Sequence, residues 1–187
     1  MIMLFFNGIY YLWIFLIQIT IGRNYMVQEQ YWNELYQLKT HINVVEYLLE
    51  QAEKVDRTIK IVLAITSSVS IGSWAIWNQY SYIWAFIIAV SQIISAIMPY
   101  LPYTNRIKSY SSLIKEWEEL MILSEFKWYA ISNGELTKDE INNARFDIKK
   151  FKQKSLSKYI QTTIPFNKNI QKKAEELACS YLQNHYG

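Results

Sequence analysis

The chain has 187 residues, 51% hydrophobic and 19% charged, with a net charge of +3. That length allows one domain, or one membrane module with a modest soluble part, and so small a charge gives no ground for a nucleic-acid polymer as partner. One cysteine, Cys179, and two histidines, His41 and His185, exclude an internal disulfide and leave too few ligands for a Cys/His metal site.

The first segment, residues 1–25, is apolar over 1–22 apart from Asn7, Gln18 and Thr20, and Arg23 follows it. Three readings compete. A third membrane span would place Arg23 on the cytoplasmic side. A start at Met26 would make the apolar stretch an extension, and helical periodicity does begin just after that residue. A secretory signal is disfavoured, because no positive residue precedes the run and no small-x-small cleavage site follows it.

Residues 26–60 read as a cytoplasmic heptad helix. No glycine or proline occurs between Gln28 and Lys60, so one helix can run into the next segment. Leu35, Leu38, Ile42, Val45, Leu49 and Ala52, then Asp56 and Ile59, alternate in steps of three and four, the seam of a coiled coil. Gln37, Lys39, Asn43, Glu46, Glu50 and Glu53 fall off that seam, on the side expected to meet water.

Residues 61–105 contain no Asp, Glu, Lys, Arg or His. One membrane span needs about 20 apolar residues, so this run predicts a two-span hairpin over 61–100, with its turn at Asn78-Gln79-Tyr80-Ser81. The first span is expected from about Ile61 to Trp77 and the second from about Tyr82 to Tyr100. Lys54, Arg57 and Lys60 precede the hairpin, Arg106, Lys108 and Lys115 follow it, and the turn is uncharged, so both ends are expected in the cytoplasm. Trp74, Trp77, Tyr80, Tyr82 and Trp84 gather at the outer end, with Tyr100 and Tyr103 at the inner one. Thr66, Ser70 and Ser73 share one helical face, and Ser68, Gly72 and Ala75 the opposite one. On the second span Ala85, Ala89, Gln92 and Ala96 form a stripe with Ser91 and Ser95 beside it. Small residues at such spacing allow close helix contact in lipid. Thr66, Ser70, Gly72, Ser73, Gln92 and Ser95 are therefore candidates either for helix packing or for lining a pore between subunits. Pro99 and Pro102 close the span and are candidate hinge residues.

Residues 101–133 read as a returning heptad helix: Ile107, Tyr110, Ile114, Trp117, Met121, Ser124, Trp128 and Ile131 again step by three and four. Asn133-Gly134 supplies its C-terminus. If residues 60 and 106 meet at the membrane surface, counting pairs Leu49 with Trp117, Val45 with Met121 and Leu38 with Trp128. Asp56, at a seam position, is expected to pair with Arg106 or Lys108, or to accept from Tyr110.

Residues 134–187 read as two further cytoplasmic helices. Thr137-Lys138-Asp139-Glu140 fits a capping box, and Ile141, Ala144, Ile148, Phe151 and Ser155 form the apolar side of the helix it opens. Arg145, Lys149 and Lys152, with Lys150, Lys154 and Lys158, give it a basic side. That side is open to three roles: a solvated face, contact with anionic headgroups, or a phosphorylated ligand. Pro165 precedes a last helix over about Asn167 to Asn184, whose apolar side is Ile170, Ala174, Leu177 and Tyr181.

No glycine-rich phosphate loop, metal cluster or nucleophile–base pattern stands out, so a non-enzyme without cofactors is expected. The fold class is all-α: a membrane helical hairpin extended by an antiparallel cytoplasmic coiled coil plus two C-terminal helices.

That layout, the long helix Gln28 to Lys60, the hairpin Ile61 to Tyr100, the arm Ile107 to Ile131 and the helices after Gly134, resembles the SLATT family of bacterial two-TM effectors (SMODS and SLOG-associating). The resemblance is one of architecture over nearly everything after Met26, and residues 1–22 depart from it. It implies an antiphage effector that oligomerises in the bacterial inner membrane and permeabilises it. A nucleotide second messenger or a sensor protein encoded nearby is the implied signal. A structural membrane scaffold recruiting a partner through its coiled coil, or a small holin-like toxin, are the rival expectations.

Overall fold

Continuity of helix-forming sequence governs this chain: Pro99, Gly134 and Pro165 fall outside the α-helices, and Gly8, Gly22 and Gly72 do not interrupt α1. The computed structural model describes residues 2–76, 81–100, 103–160 and 163–186, with the backbone alone for 2–25, 67–76, 81, 84, 99, 103 and 104. Among these residues the chain is all-helical: α1 (Ile2–Ile76), α2 (Ser81–Ile97), α3 (Tyr103–Ser132), α4 (Lys138–Tyr159) and α5 (Lys168–Tyr186), with a 3-10 turn at Met98–Tyr100. The apolar residues 2–22 are helical and belong to α1, which is unbroken at Arg23 and Met26. The chain divides into two compact units, Met1–Val44 with Leu113–Gly187, and Val45–Ser112.

In the first unit α1 and α3 bury the sides that their spacing predicts. Leu35, Leu38 and Ile42 on α1, and Ile114, Trp117, Met121, Ser124 and Ile131 on α3, are all buried. Tyr31, one turn further out, is fully buried, donates its hydroxyl to the Ser124 carbonyl at 3.0 Å, and stacks on Trp128 with centroids 6.1 Å apart. Trp32 meets the same indole at 5.0 Å. Trp128 therefore packs about one heptad N-terminal of Leu38, the residue expected opposite it. That expectation fails because it levelled residues 60 and 106 at a membrane surface. The pairings proposed for Leu49 and Val45 join residues of different units.

Asn133-Gly134 ends α3 as expected: Gly134 has φ 74°, and the Gly134 and Glu135 amides donate to the Ile131 and Ala130 carbonyls. The Thr137 capping box opens α4, with the Thr137 amide donating to Glu140 at 2.7 Å and the Glu140 amide to Thr137 Oγ1 at 3.4 Å. Ile141, Ala144, Ile148 and Ser155 are buried on it. Asn167 caps α5, accepting from the Asn169 and Ile170 amides. The buried side of α5 is Ile170, Ala174, Ala178 and Leu182. Leu177, expected there, is exposed. The stripe turns by one position because α5 packs beside Asn43, whose amide donates to the Ala174 carbonyl at 3.0 Å. Asn43, expected in water, is accordingly buried.

The second unit holds the end of α1, α2 and the start of α3. Asp56 accepts from Lys60, one turn along its own helix, at 2.6 Å, rather than from Arg106, Lys108 or Tyr110. On α2 the half-buried positions are Ile87, Ile88, Ser91 and Ile94, largely one helical face that Met98 of the 3-10 turn continues, while Tyr82, Ile83, Phe86, Val90, Ile93 and Ile97 are exposed. Among the described residues no helix is long and apolar enough to cross a membrane. The second expected span, 82–100, is therefore not found as one helix. Its α-helix stops at Ile97 after 17 residues, about 25 Å of rise, because Pro99 lacks the N–H that would continue it. The side chains of 67–77 in the first expected span lie outside the described residues.

The observed pairing of α1 with α3 has a direct energetic signature. A double-mutant cycle on Tyr31→Leu and Trp128→Leu, read by denaturant unfolding, should return a coupling of about 0.5–1.5 kcal/mol. The same cycle on Leu38→Ala and Trp128→Leu should return none beyond error.

Candidate functional site

Helical spacing sets Gln30, Glu34 and His41 on one face of α1, and Trp32, Tyr36 and Asn43 on nearly the opposite one. The second face receives α5: besides the Asn43 bond, Trp32 meets Tyr186 edge-on at 5.8 Å and Tyr36 reaches the Glu175 carbonyl at 3.5 Å. The first face receives α4, whose Arg145, Lys149 and Lys152 recur at steps of four and three and share a side. These three residues do form one face, but it turns inward onto α1.

Glu34, buried with 7% of its side chain exposed, is the centre of this seam. Its Oε1 lies 2.8 Å from Lys149 Nζ and 4.0 Å from an Arg145 guanidinium nitrogen. Arg145 also donates to Gln30 Oε1 and, at 3.2 Å, to Asn142 Oδ1. Lys152 Nζ stands 3.3 Å from His41 Nδ1. Burial, and then the nearby Lys152 charge, push the His41 pKa down to about 4, against a weaker opposing pull from Glu34. His41 is thus neutral near pH 7 and accepts from the lysine. Burial also lowers the Lys152 pKa, which Glu34 partly offsets. Glu34 Oε2 and Arg145 Nε are buried without hydrogen-bond partners within the chain. Arg145 and Lys149 pair with one carboxylate and Lys152 sits on His41 nearby, so the seam carries surplus positive charge that reaches solvent at the half-exposed Lys149.

A second clamp holds the other end of α4. Glu116 on α3 accepts from Ser155 Oγ at 2.5 Å, Lys158 Nζ at 2.6 Å and the Tyr159 hydroxyl at 2.7 Å. These bonds, that from Lys158 foremost, pull the Glu116 pKa down to about 2. Lys158 therefore belongs to this clamp, while Lys150 and Lys154 remain exposed. The basic side expected of α4 is split three ways.

The candidate packing or pore residues are distributed differently. Thr66 turns its hydroxyl onto its own helix, donating to the Val62 and Leu63 carbonyls at 2.9 and 3.1 Å. Ser91 does the same toward Ile87 at 2.8 Å. Gln92 and Ser95 are exposed on α2, as are Ala85, Ala89 and Ala96. The side chains of Ser70, Gly72 and Ser73 lie outside the described residues. Pro99 lies in the 3-10 turn, and Pro102 lies outside the described residues. Among the described residues no group of three or more His, Cys, Asp and Glu side chains could hold a metal ion.

Sequence reasoning missed Glu34, His41 and Glu116. A signal for the first two was present: Tyr31, Glu34, Leu38, His41 and Val45 also step by three and four, sharing Leu38 and Val45 with the apolar seam. Comparison with protein-family models, curated proteins and solved structures finds no match to this chain.

Two measurements test this seam. Because folding depresses the His41 pKa from 6.5 to about 4, the unfolded chain binds more protons between those values. The His41 contribution is then complete above pH 6.5 and lost as pH falls toward 4. His41→Gln should flatten that part of the stability–pH profile. Separately, Glu34→Gln should destabilise the fold by about 1.5–3 kcal/mol, the scale of hydrogen bonds to charged groups, since it leaves Lys149 and Arg145 facing an uncharged amide.

Proposed function

We propose that this chain is a membrane effector of a bacterial antiphage defence system. In this reading it inserts the hairpin 61–100 into the inner membrane and oligomerises to permeabilise it. One observation carries the reading: 45 consecutive residues, 61–105, bear no charge, and Tyr82, Ile83, Phe86, Val90, Ile93 and Ile97 stand exposed along one whole side of α2. Exposed isoleucine, phenylalanine and valine in such density call for an apolar surrounding. The 17 residues of α2 rise about 25 Å. The 3-residue 3-10 turn at Met98–Tyr100 adds about 6 Å, which brings the rod near the roughly 30 Å of a bilayer core.

Oligomerisation is supported by the outward placement of Gln92, Ser95, Ala85, Ala89 and Ala96. A glutamine amide facing acyl chains without a partner costs several kcal/mol (roughly 2–7 by transfer scales). A neighbouring copy or a wet lumen relieves that cost, and small residues let the neighbour approach. The first unit, with its charged seam, lies in the cytoplasm in this reading. There it receives the activating signal, a nucleotide second messenger or a sensor protein encoded nearby. Pro99 and Pro102 supply the hinge.

Induced expression with a membrane-potential dye should show depolarisation in wild type. It should be largely lost in Gln92→Leu and in Ser70→Leu/Ser73→Leu at unchanged abundance and membrane insertion. Cysteines placed at Gln79 and Asn133, in a Cys179→Ser background, should label from outside only at position 79. Wild type that never depolarises cells, with its neighbouring genes present and triggered, sinks the effector reading and leaves the scaffold in its place.

A further inference from the structure

The outer side of the first unit carries an apolar face that neither the seam nor the hairpin uses. Between α3 and α4 runs a groove of about 470 Å³, floored by Tyr31 and Ser124 and walled by Leu120, Leu123, Phe126, Ala144, Ile148 and Phe151. Phe126 is 83% exposed beside it, and Ile122, Leu123 and Tyr129 continue the apolar surface along α3. Ile122, Phe126 and Tyr129 recur at steps of four and three, one stripe along the helix. Its walls carry opposite charges, Lys127 from α3 and Asp147 from α4. Both are exposed, and neither has an ion-pair partner among the described residues.

We infer that this face docks a second copy of the chain about a two-fold axis. In that pairing Phe126 of each copy enters the other's groove, and Lys127 of each meets Asp147 of the other. Three features single out a second copy. Knob and groove lie on one surface, the condition for a self-matching contact. The charges on the two walls are opposite, so a two-fold apposes each with its complement. The helical stripe repeats at the spacing with which a helix packs against another of its kind. Lipid fits less well: helices that lie on anionic membranes flank their apolar side with Lys and Arg, whereas both signs border this one, Glu118, Glu119 and Asp147 with Lys127, Lys150 and Lys154. The inference rests on the oligomeric part of the proposal above and not on its membrane part.

The test uses the full chain in detergent, with mass read by sedimentation. Phe126→Glu should sediment at half the wild-type mass. Lys127→Glu alone sets two acidic residues opposite each other, Asp147→Lys alone sets two lysines opposite, and each should weaken self-association by about tenfold or more. Mixing the two variants makes both contacts complementary in one heterodimer, so the mixture should regain the wild-type mass. A charge pair within one chain cannot produce that recovery. A mixture no heavier than its components, or a wild type no heavier than Phe126→Glu, overturns the pairing. A mass unchanged by Phe126→Glu, with less lipid copurifying per chain, makes the face a lipid contact and equally overturns it. Depolarisation measured on the same variants separates the two proposals. Loss of pairing with depolarisation intact leaves the effector standing, and the converse leaves the pairing standing.

Discussion

The contact between Tyr31 and the Ser124–Trp128 turn of α3 sets the axial position from which the rest of the first unit is measured. A coiled-coil seam of leucines and isoleucines tolerates sliding by a heptad, because each apolar knob finds a similar hole seven residues on. A buried phenol does not. Its hydroxyl must find an acceptor, and the Ser124 carbonyl offers one beside the Trp128 ring. Burial pushes the Tyr31 pKa up to about 12, so the hydroxyl remains a donor across the physiological range. With α1 and α3 held in that position, Glu34 comes level with Lys149, and His41 comes level with both Lys152 and Trp117.

The two polar fastenings of α4 differ in kind. At Glu116 one carboxylate is saturated by three donors, at the partly open end of the helix, and its depressed pKa records how well it is satisfied. At Glu34 the same helix brings two cations to one buried carboxylate, with Lys152 beside them on His41, leaving orphaned atoms on both sides. Buried ion pairs contribute little net stability once desolvation is counted. The seam therefore selects an alignment of α4 on α1 more than it strengthens the fold, and the apolar core of Leu35, Leu38, Ile42, Ile141 and Ile148 supplies the cohesion.

Apolar exposure takes two forms in this protein, and they call for different surroundings. On α2 it runs the length of one side of a helix without charges, from Tyr82 to Ile97, which suits a continuous apolar medium. On α3 and α4 it is confined to one groove and its lip, bordered by ionised residues, which suits a discrete partner of matching shape. Treating both as one hydrophobic property would hide that difference.

The helices and their buried faces were legible in the sequence because they follow from local rules. Residues three and four apart share a face, the Thr137–Glu140 box starts a helix, and Asn133-Gly134 stops one. Arg145, Lys149 and Lys152 were legible as a single face for the same reason. Which way that face turned was not, because it depends on Glu34, more than a hundred positions away, a carboxylate that looks like any surface glutamate until α4 covers it. The register of α1 on α3 was likewise beyond local spacing, since heptads repeat and it takes contacts such as Tyr31 on Trp128 to distinguish one alignment from the next. Asn43 and Leu177 exchanged their expected places because α5 chose a side of α1 by packing, where a small rotation costs less than a buried void. Local periodicity thus determined what is helical and what is apolar. The tertiary structure decided which charges meet, since that depends on contacts made only after the helices have docked.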